Sequence, residues 1–394
     1  MASEGGEHLG EKLRRLRRLA KLTQEELAER SGVSVDVIRR LEQRRKHSAR
    51  LPTLHALAAG LGVELTSLLG DPPGVASNGE ADAPQFVAVR RAIMPPLFAA
   101  PPDGPLVPDL RERIAEAWTL YHDAEFERLM SVLPELIGAA RRAADPVALC
   151  KALQLGGHLA VRMGKTDLAL ASLERAMTAA EEAASCDPLL ALMIVNSVAW
   201  TYQRQGRLDD ARDVALHAAE SMERGLQITA EAVKVRGGLL MSAATSYARG
   251  GDYERADEMM RAAEAAAQRL KDLPAAEDNR MVSVFSTSSV RIERVRLAVQ
   301  FGRPEDALDL ARGMRLAKDT PPSWRTWLLL DVARAHTDLG DADGAVKTLE
   351  SLRRVAPTWM RHHTLAVAIV EDLWELPNRP AGLRALAEFL GVAA

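Results

Sequence analysis

Five times between residues 160 and 352 the chain repeats one spacing. A small or aromatic residue is followed four positions later by a glycine, then by an alanine five beyond it. Small or apolar residues follow four and seven beyond that alanine. The copies read Ala160, Gly164, Ala169, Leu173, Ala176, then Tyr202, Gly206, Ala211, Ala215, Ala218, then Tyr247, Gly251, Ala256, Met260, Ala263. Ala298, Gly302, Ala307, Ala311, Met314 and His336, Gly340, Ala345, Leu349, Leu352 complete the set. The glycines stand 42, 45, 51 and 38 residues apart. A glycine admits the tight reversal between two antiparallel helices, and small residues let those helices cross closely. A chain with this constraint over so much of its length is expected to fold as stacked helix pairs, the alternative being an Ala-rich helical bundle in which the glycine–alanine pairs recur by chance. A degenerate first copy, without the glycine, lies in WTLYHDAEFERLMSVLPEL.

The composition agrees. Aromatics make up 4% of the 394 residues and hydrophobic residues 47%, with Ala and Leu dominant and β-branched runs scarce. That balance favours helices throughout. A chain of this length is expected to form more than one domain. No apolar run is long enough to cross a membrane, and MASEGGEHLGEK carries no apolar core of the signal-peptide kind, so a cytoplasmic protein is expected. Cys150 and Cys186, 36 residues apart, form no disulfide framework or zinc knuckle and are expected to be two buried thiols.

Three parts follow. Residues 71–108 hold nine of the 20 prolines and the stretch GVASNGEADAP, and read as a linker. Within it, QFVAVRRAIM alternates like a strand that could pack on a domain as an arm. Residues 109–394 carry the repeats, and residues 9–70 read as five short helices. Leu9, Leu13, Leu16 and Ala20 recur at helical spacing in the first. Thr23 with Glu26 forms a capping box for the second, Gly32 ends it, and Ser34 caps the third. Pro52 suits the first turn of the fourth, and ELTSLLG makes a fifth. Residues 1–70 hold 13 Lys or Arg against 9 Asp or Glu, a balance of +4, while the whole chain is at −3. The excess concentrates where Arg39, Arg40, Arg44, Arg45, Lys46 and Arg50 face only Glu42, a field suited to a polyanion.

The stretch LTQEELAERSGVSVDVIRRLEQ, residues 22–43, resembles the helix-turn-helix of the Cro/C1-type repressors, the XRE family. Gln24 opens the second helix, Ala28 permits a close crossing, Gly32 makes the turn, and Ile38 with Leu41 pins the third helix. The resemblance implies an all-α, five-helix lambda-repressor-like domain that binds double-stranded DNA. Helical spacing places Val35, Asp36, Arg39 and Arg40 on the outer face of the third helix, below Ser34 at its start. Arg40 could bond guanine O6 and N7, Asp36 could accept from cytosine N4, and Val35 could pack on a thymine methyl. The alternative for Asp36 and Arg40 is a surface ion pair. By resemblance, Gln24 would bond a phosphate, and Arg44, Arg45 and Lys46 would follow the sugar–phosphate chain. Arg17 and Glu42 occupy positions that in the family form a structural salt bridge. One departure is Glu-Gln-Arg-Arg where the family usually has a glycine after the third helix.

The repeats resemble the tetratricopeptide repeat, lengthened in its helices, and imply an α-solenoid with a concave face. The combination resembles the peptide-sensing transcription factors of Gram-positive bacteria, which implies a bacterial homodimer whose solenoid supplies the dimer contacts and senses a peptide or small-molecule effector. In such repeats, the residues two and six before the one packing ahead of the glycine line the groove. That selects Gln154 and His158, Asn196 and Trp200, Met241 and Thr245, Ile292 and Arg296, and Leu330 and Arg334. Arg162, Arg204 and Arg249 lie one turn further on. Asn196 is the best single candidate, since its amide can satisfy both backbone groups of a peptide. The sequence holds no HExxH, GxSxG, GxxxxGK[ST] or strand-borne GxGxxG, and neither His362–His363 nor His158 has partners at metal-ligand spacing. No enzymatic activity, metal or cofactor is expected. The expected protein is a sequence-specific transcriptional regulator, cytoplasmic and nucleoid-associated, reading an inverted-repeat operator. The alternative is an interaction scaffold whose solenoid binds a partner protein while the front domain only docks it.

Overall fold

The computed structural model describes residues 8–43, 49–63, 65–69, 84–97, 104–223, 228–274, 284–317, 320–361 and 363–392. Every regular element among them is helical. Arg44, Arg45, Lys46 and Gly70 fall outside the described residues, as does half of the stretch read as a linker. The chain divides into two compact units. One holds Met1–Val75, Tyr247–Arg255 and Arg291–Ala394, and the other holds Ala76–Ser246 and Ala256–Val290.

The first unit opens with α1 (Leu9–Leu19), α2 (Gln24–Ser31), α3 (Val35–Glu42), α4 (Leu51–Leu61) and α5 (Leu65–Leu69). Thr23 Oγ1 accepts from the Glu26 backbone N–H at 3.1 Å while the Glu26 carboxylate accepts from the Thr23 backbone N–H at 2.7 Å, so the expected capping box is formed. Gly32 ends α2 at φ 67°. Leu13, Leu27, Ile38, Leu41, Leu54, Leu57 and Leu68 are buried in one core. Burial of that kind contributes about 1.5–3 kcal/mol per large side chain before the entropy of ordering is charged against it.

The second unit begins with α6 (Pro84–Ile93), over the stretch whose alternation read as a strand. Phe86, Val89 and Ile93 also fall at helical spacing, and all three are buried. Arg141 donates to the carbonyls of Ala92 at 2.6 Å and Ile93 at 3.5 Å, closing the end of the helix. A long-range partner for the last carbonyls, invisible in the local pattern, decided helix over strand. Then come α7 (Leu110–His122), α8 (Phe126–Arg142), α9 (Pro146–Arg162), α10 (Thr166–Glu182), α11 (Leu190–Arg204) and α12 (Leu208–Glu223). Of the two cysteines, Cys150 is buried on α9, and burial pushes its thiol up to about 12. Cys186 is exposed, contrary to expectation, because it lies in the turn after α10.

Elements α13 (Ala230–Arg249), α14 (Tyr253–Arg269) and α15 (Thr287–Gln300) have residues in both units. The first unit closes with α16 (Pro304–Ala311), α17 (Pro322–Asp338), α18 (Ala342–Val355), α19 (Pro357–Arg361), α20 (Thr364–Trp374) and α21 (Leu383–Leu390). Within that unit, Leu51 at the start of α4 is buried with Ile292, Val295 and Val299 of α15 and Leu328 of α17.

The repeat spacing has a backbone meaning. Gly164, Gly206, Gly251, Gly302 and Gly340 all take positive φ, between 68° and 85°. In each copy the residue four before the glycine accepts a backbone hydrogen bond from the residue just after it. The donors are Lys165, Arg207, Asp252, Arg303 and Asp341, at 2.9–3.0 Å. This helix-ending bond fixes the register of every hairpin. The degenerate first copy makes the same bond, from Glu125 to the Leu120 carbonyl at 2.9 Å, with Ala124 at φ 58° where the others have glycine. This helical region is consistent with a solenoid.

Candidate nucleic-acid interface and effector recess

Helix α3 has two unlike faces. Ile38 and Leu41 are fully buried, and Val33 and Val37 pack partly against the same core. Ser34, Asp36, Arg39 and Arg40 are exposed, and Val35 is half-buried. Ser34 Oγ accepts from the Val37 backbone N–H at 3.4 Å, leaving the hydroxyl at the head of the exposed face. Asp36 and Arg40 pair at 2.8 Å, both about 60% exposed. At that exposure the pair is worth well under about 1 kcal/mol, so it orients Arg40 without holding the fold. The helix therefore presents a fixed backbone and four solvent-facing side chains, the arrangement that a major-groove reader needs.

The helix is braced from behind by a carboxylate. Arg17 donates to both oxygens of Glu42, at 2.6 and 2.9 Å, and to the Leu22 carbonyl at 2.8 Å. Gln24 donates its amide to the same carboxylate at 2.7 Å. Burial by itself would raise the Glu42 carboxyl, but hydrogen bonds from Arg17 and Gln24 together hold it below the usual range. Arg17 thus plays the scaffold role expected of it. The Gln24 side chain, expected on a phosphate, here bonds the Glu42 carboxylate, a charge-assisted hydrogen bond inside the domain. Gly10 completes the brace. A Cβ there would lie 2.0 Å from the Leu41 carbonyl oxygen, so α1 and α3 meet at a contact only glycine allows.

The residues expected to line an effector groove divide into two groups. Arg334 is buried and spends its donors on Asp338 at 2.7 Å, Asp372 at 2.9 Å and the Ala49 carbonyl at 2.8 Å. Arg296 pairs with Glu293 at 3.0 Å and Asp331 at 3.3 Å and lies over the Trp327 ring at 4.7 Å. Ile292 and Leu330 are buried apolar residues beside them. These positions are structural. Each arginine has one acidic partner on its own helix, Glu293 or Asp338, and one from another helix, Asp331 or Asp372, and repeat spacing does not reveal the second.

The second unit differs. Gln154 is buried and donates to Ser197 Oγ at 3.0 Å and to the Met193 carbonyl at 3.5 Å, so both of its amide N–H groups are engaged within the fold. Asn196 Oδ1 accepts from Ser242 Oγ at 2.7 Å, so the preferred candidate has one end already engaged. His158, Trp200 and Arg204 are only half-buried, and the first two meet. The His158 ring stacks on Trp200 with centroids 5.0 Å apart, and its Nε2 lies 3.0 Å from Ser197 Oγ. Trp118 and Tyr121 of α7 meet the same imidazole edge-on at 5.1 and 5.6 Å. Burial holds His158 down to about 3 and His122 to about 4, so both are neutral, and it pushes Tyr121 up to about 12 and Arg162 down to about 10. His122, His158 and Arg162 nonetheless keep accessible surface. The rings of Trp118, Tyr121, His158 and Trp200 form one aromatic cluster that joins α7, α9 and α11.

Trp118, Tyr121 and His122 were missed in the sequence, although a signal existed. With Ala124 taken as the missing glycine, the same register that selects His158 and Trp200 selects Trp118. One turn on, where Arg162 and Arg204 stand, it selects His122.

Comparison with known proteins supports the first of these two sites. Residues 8–68 match the family of helix-turn-helix domains, a DNA-binding motif. None of the curated proteins compared with the chain matches it. Among solved structures, the crystal structure of BtubC (BKLC) from P. vanneervenii is similar at 20% identity, over 70% of this chain and 97% of that one, with a TM-score of 0.38.

Proposed function

We propose that the chain is a sequence-specific transcriptional regulator of the Cro/C1 type that reads DNA with α3 and senses an effector with its tetratricopeptide-like helices. The observation that carries this reading is the exposed face of α3, where Arg39 and the Asp36–Arg40 pair face solvent on a helix locked by Ile38, Leu41 and the Arg17–Glu42 pair. Arg40 takes guanine in bidentate fashion, Asp36 accepts from cytosine, and Arg44, Arg45 and Lys46 add sequence-independent attraction to phosphates. One such domain buries too little surface to specify a site well, so the regulator acts as a homodimer on half-sites about 10 bp apart or a multiple of that. An effector that binds one dimer geometry more tightly shifts the population towards or away from DNA-competent spacing.

The test is selection of bound fragments from sheared genomic DNA, repeated with Arg39 and Arg40 both changed to alanine. An inverted repeat recovered by the native chain and lost by the variant supports the reading. Binding without sequence enrichment that vanishes at moderate salt leaves only electrostatic attachment and overturns it.

A further inference from the structure

The front domain is seated on later helices of its own compact unit through residues that its own core does not use. Leu51 opens α4 but lies outside the core formed by Leu13, Leu27, Ile38, Leu41 and Leu54. It is 4% exposed because Ile292, Val295 and Val299 of α15 and Leu328 of α17 enclose it. Away from them this leucine would meet water. Pro52 follows against the turn after α15, where a Cβ on Gly302 would lie 3.5 Å from Pro52 Cγ. Leu65 of α5 packs against both clusters. On α20, burial raises the Glu371 carboxyl and the charge of Lys12 from α1 pulls against it.

A polar knot closes the seat. The buried Arg334 guanidinium holds Asp338, Asp372 and the Ala49 carbonyl, the last at 2.8 Å. Its Nε and one Asp338 oxygen are buried with no hydrogen-bond partner among the described residues. The Ala49 carbonyl is therefore needed, since withdrawing it would strand one more donor in the interior. With the domain seated in this way, Asp36, Arg39 and Arg40 remain exposed. The seat takes up α4 and α5 and leaves the face of α3 open.

We propose that Leu51 and Arg334 are positioning residues that clasp the DNA-reading domain in one pose, so that α15 and α17, rather than the connecting chain, fix where α3 is presented. The proposal rests on the DNA-reading function above and adds how that site is held. The pose passes from the seat to α3 because Leu54 and Leu57 of α4 share one core with Ile38 and Leu41. A dimer on two half-sites needs both heads at a set separation, which a flexible tether does not supply.

Pulsed dipolar EPR on the full chain tests the clasp without DNA. Nitroxides are placed at Leu19→Cys and Val355→Cys, two exposed sites of the same unit, with Cys186→Ser and with Cys150 left buried. The intact clasp should give one narrow distance distribution. Leu51→Ala and Arg334→Met should each broaden it about twofold or more, as released heads sample other poses. Leu51→Ala touches neither the core of the front domain nor the Arg334 knot, so it decides the matter if Arg334→Met fails to fold. A distribution already broad with the clasp intact, or one that stays narrow in Leu51→Ala, would overturn the proposal. Selection of bound fragments with the same proteins separates the clasp from the function. Where the native chain enriches an inverted repeat, Leu51→Ala should keep the half-site sequence and lose the preference for one spacing. Unchanged spacing despite broadened distances would also overturn the positioning role. No enrichment by the native chain removes the DNA-reading function, and the distances still decide the clasp.

Discussion

Arg334 donates from Nη2 to the backbone carbonyl of Ala49 at 2.8 Å, a hydrogen bond between residues 285 positions apart in the chain. It ties the residue just ahead of α4 to the middle of α17, where the same guanidinium also holds Asp338 and Asp372. Arg334→Met would leave two carboxylates facing each other with little water. Breaking a buried pair by removing one partner costs about 3–5 kcal/mol. Burial, followed by the neighbouring Glu371 and Asp338 charges, outweighs the Arg334 pairing and raises the Asp372 carboxyl to about 7. Without the arginine, Asp372 escapes its cost by taking up a proton at lower pH. Urea denaturation should therefore show a larger loss at about pH 8 than at about pH 6. A loss independent of pH would mean that Asp372 is not the group left stranded.

The neutral histidines of the aromatic cluster predict acid sensitivity. Burial holds His158 at about 3 and His122 at about 4, against an unfolded value of about 6.5. Between those values the unfolded chain binds protons that the folded chain refuses. The stabilisation is complete above the unfolded value and is lost as pH falls towards the folded ones. His158→Gln should reduce the loss between about pH 6.5 and pH 4, by up to about 1 kcal/mol per pH unit. Denaturant midpoints of the two proteins across that range provide the measurement, and parallel curves would contradict it.

Two glycines of the DNA-binding domain should respond differently to a methyl group. At Gly10 the added Cβ meets the Leu41 carbonyl at 2.0 Å, so α1 or α3 must move. Gly10→Ala is expected to cost about 3 kcal/mol and to weaken DNA binding, because α3 carries the reading face. At Gly32 the space is open and only the left-handed backbone resists, at about 1–2 kcal/mol. Gly32→Ala should lower the thermal midpoint less, and the folded variant should keep its sequence preference.

The first helical turns give a paired test of backbone strain. Ala124 and Ala144 both have positive φ, at 58° and 48°. Ala144 is exposed, so Ala144→Gly should stabilise the protein by about 0.5–1 kcal/mol as left-handed strain is relieved. Ala124 is 2% exposed, and Ala124→Gly also removes a buried methyl worth about 0.8 kcal/mol. The two effects nearly cancel, and a thermal midpoint close to the native value is expected.

Much of this architecture was legible because it is local. A left-handed glycine, a capping box and an i, i+4 stripe each report a few neighbouring residues, and these set the five short helices, the turns at Gly164 to Gly340 and the exposed side chains of α3. The exposed face of α3 was legible for the same reason, since Ile38 and Leu41 leave only one other side to face water. The stretch 84–93 misled because Phe86, Val89 and Ile93 satisfy more than one period, and Arg141, which closes the helix, stands 49 residues from the carbonyl it caps.

What the sequence by itself determined, then, was the set of helices, the register of their turns and the face that α3 offers to a ligand. Tertiary structure decided which polar side chains remain available. Gln24, which the resemblance assigned to a phosphate, and Arg296 and Arg334, which the repeat register assigned to a groove, each bond a carboxylate from another helix. A buried charge must find its opposite, and where that opposite comes from 25 to 38 residues away, as with Arg17 for Glu42 and Asp372 for Arg334, periodicity cannot register it.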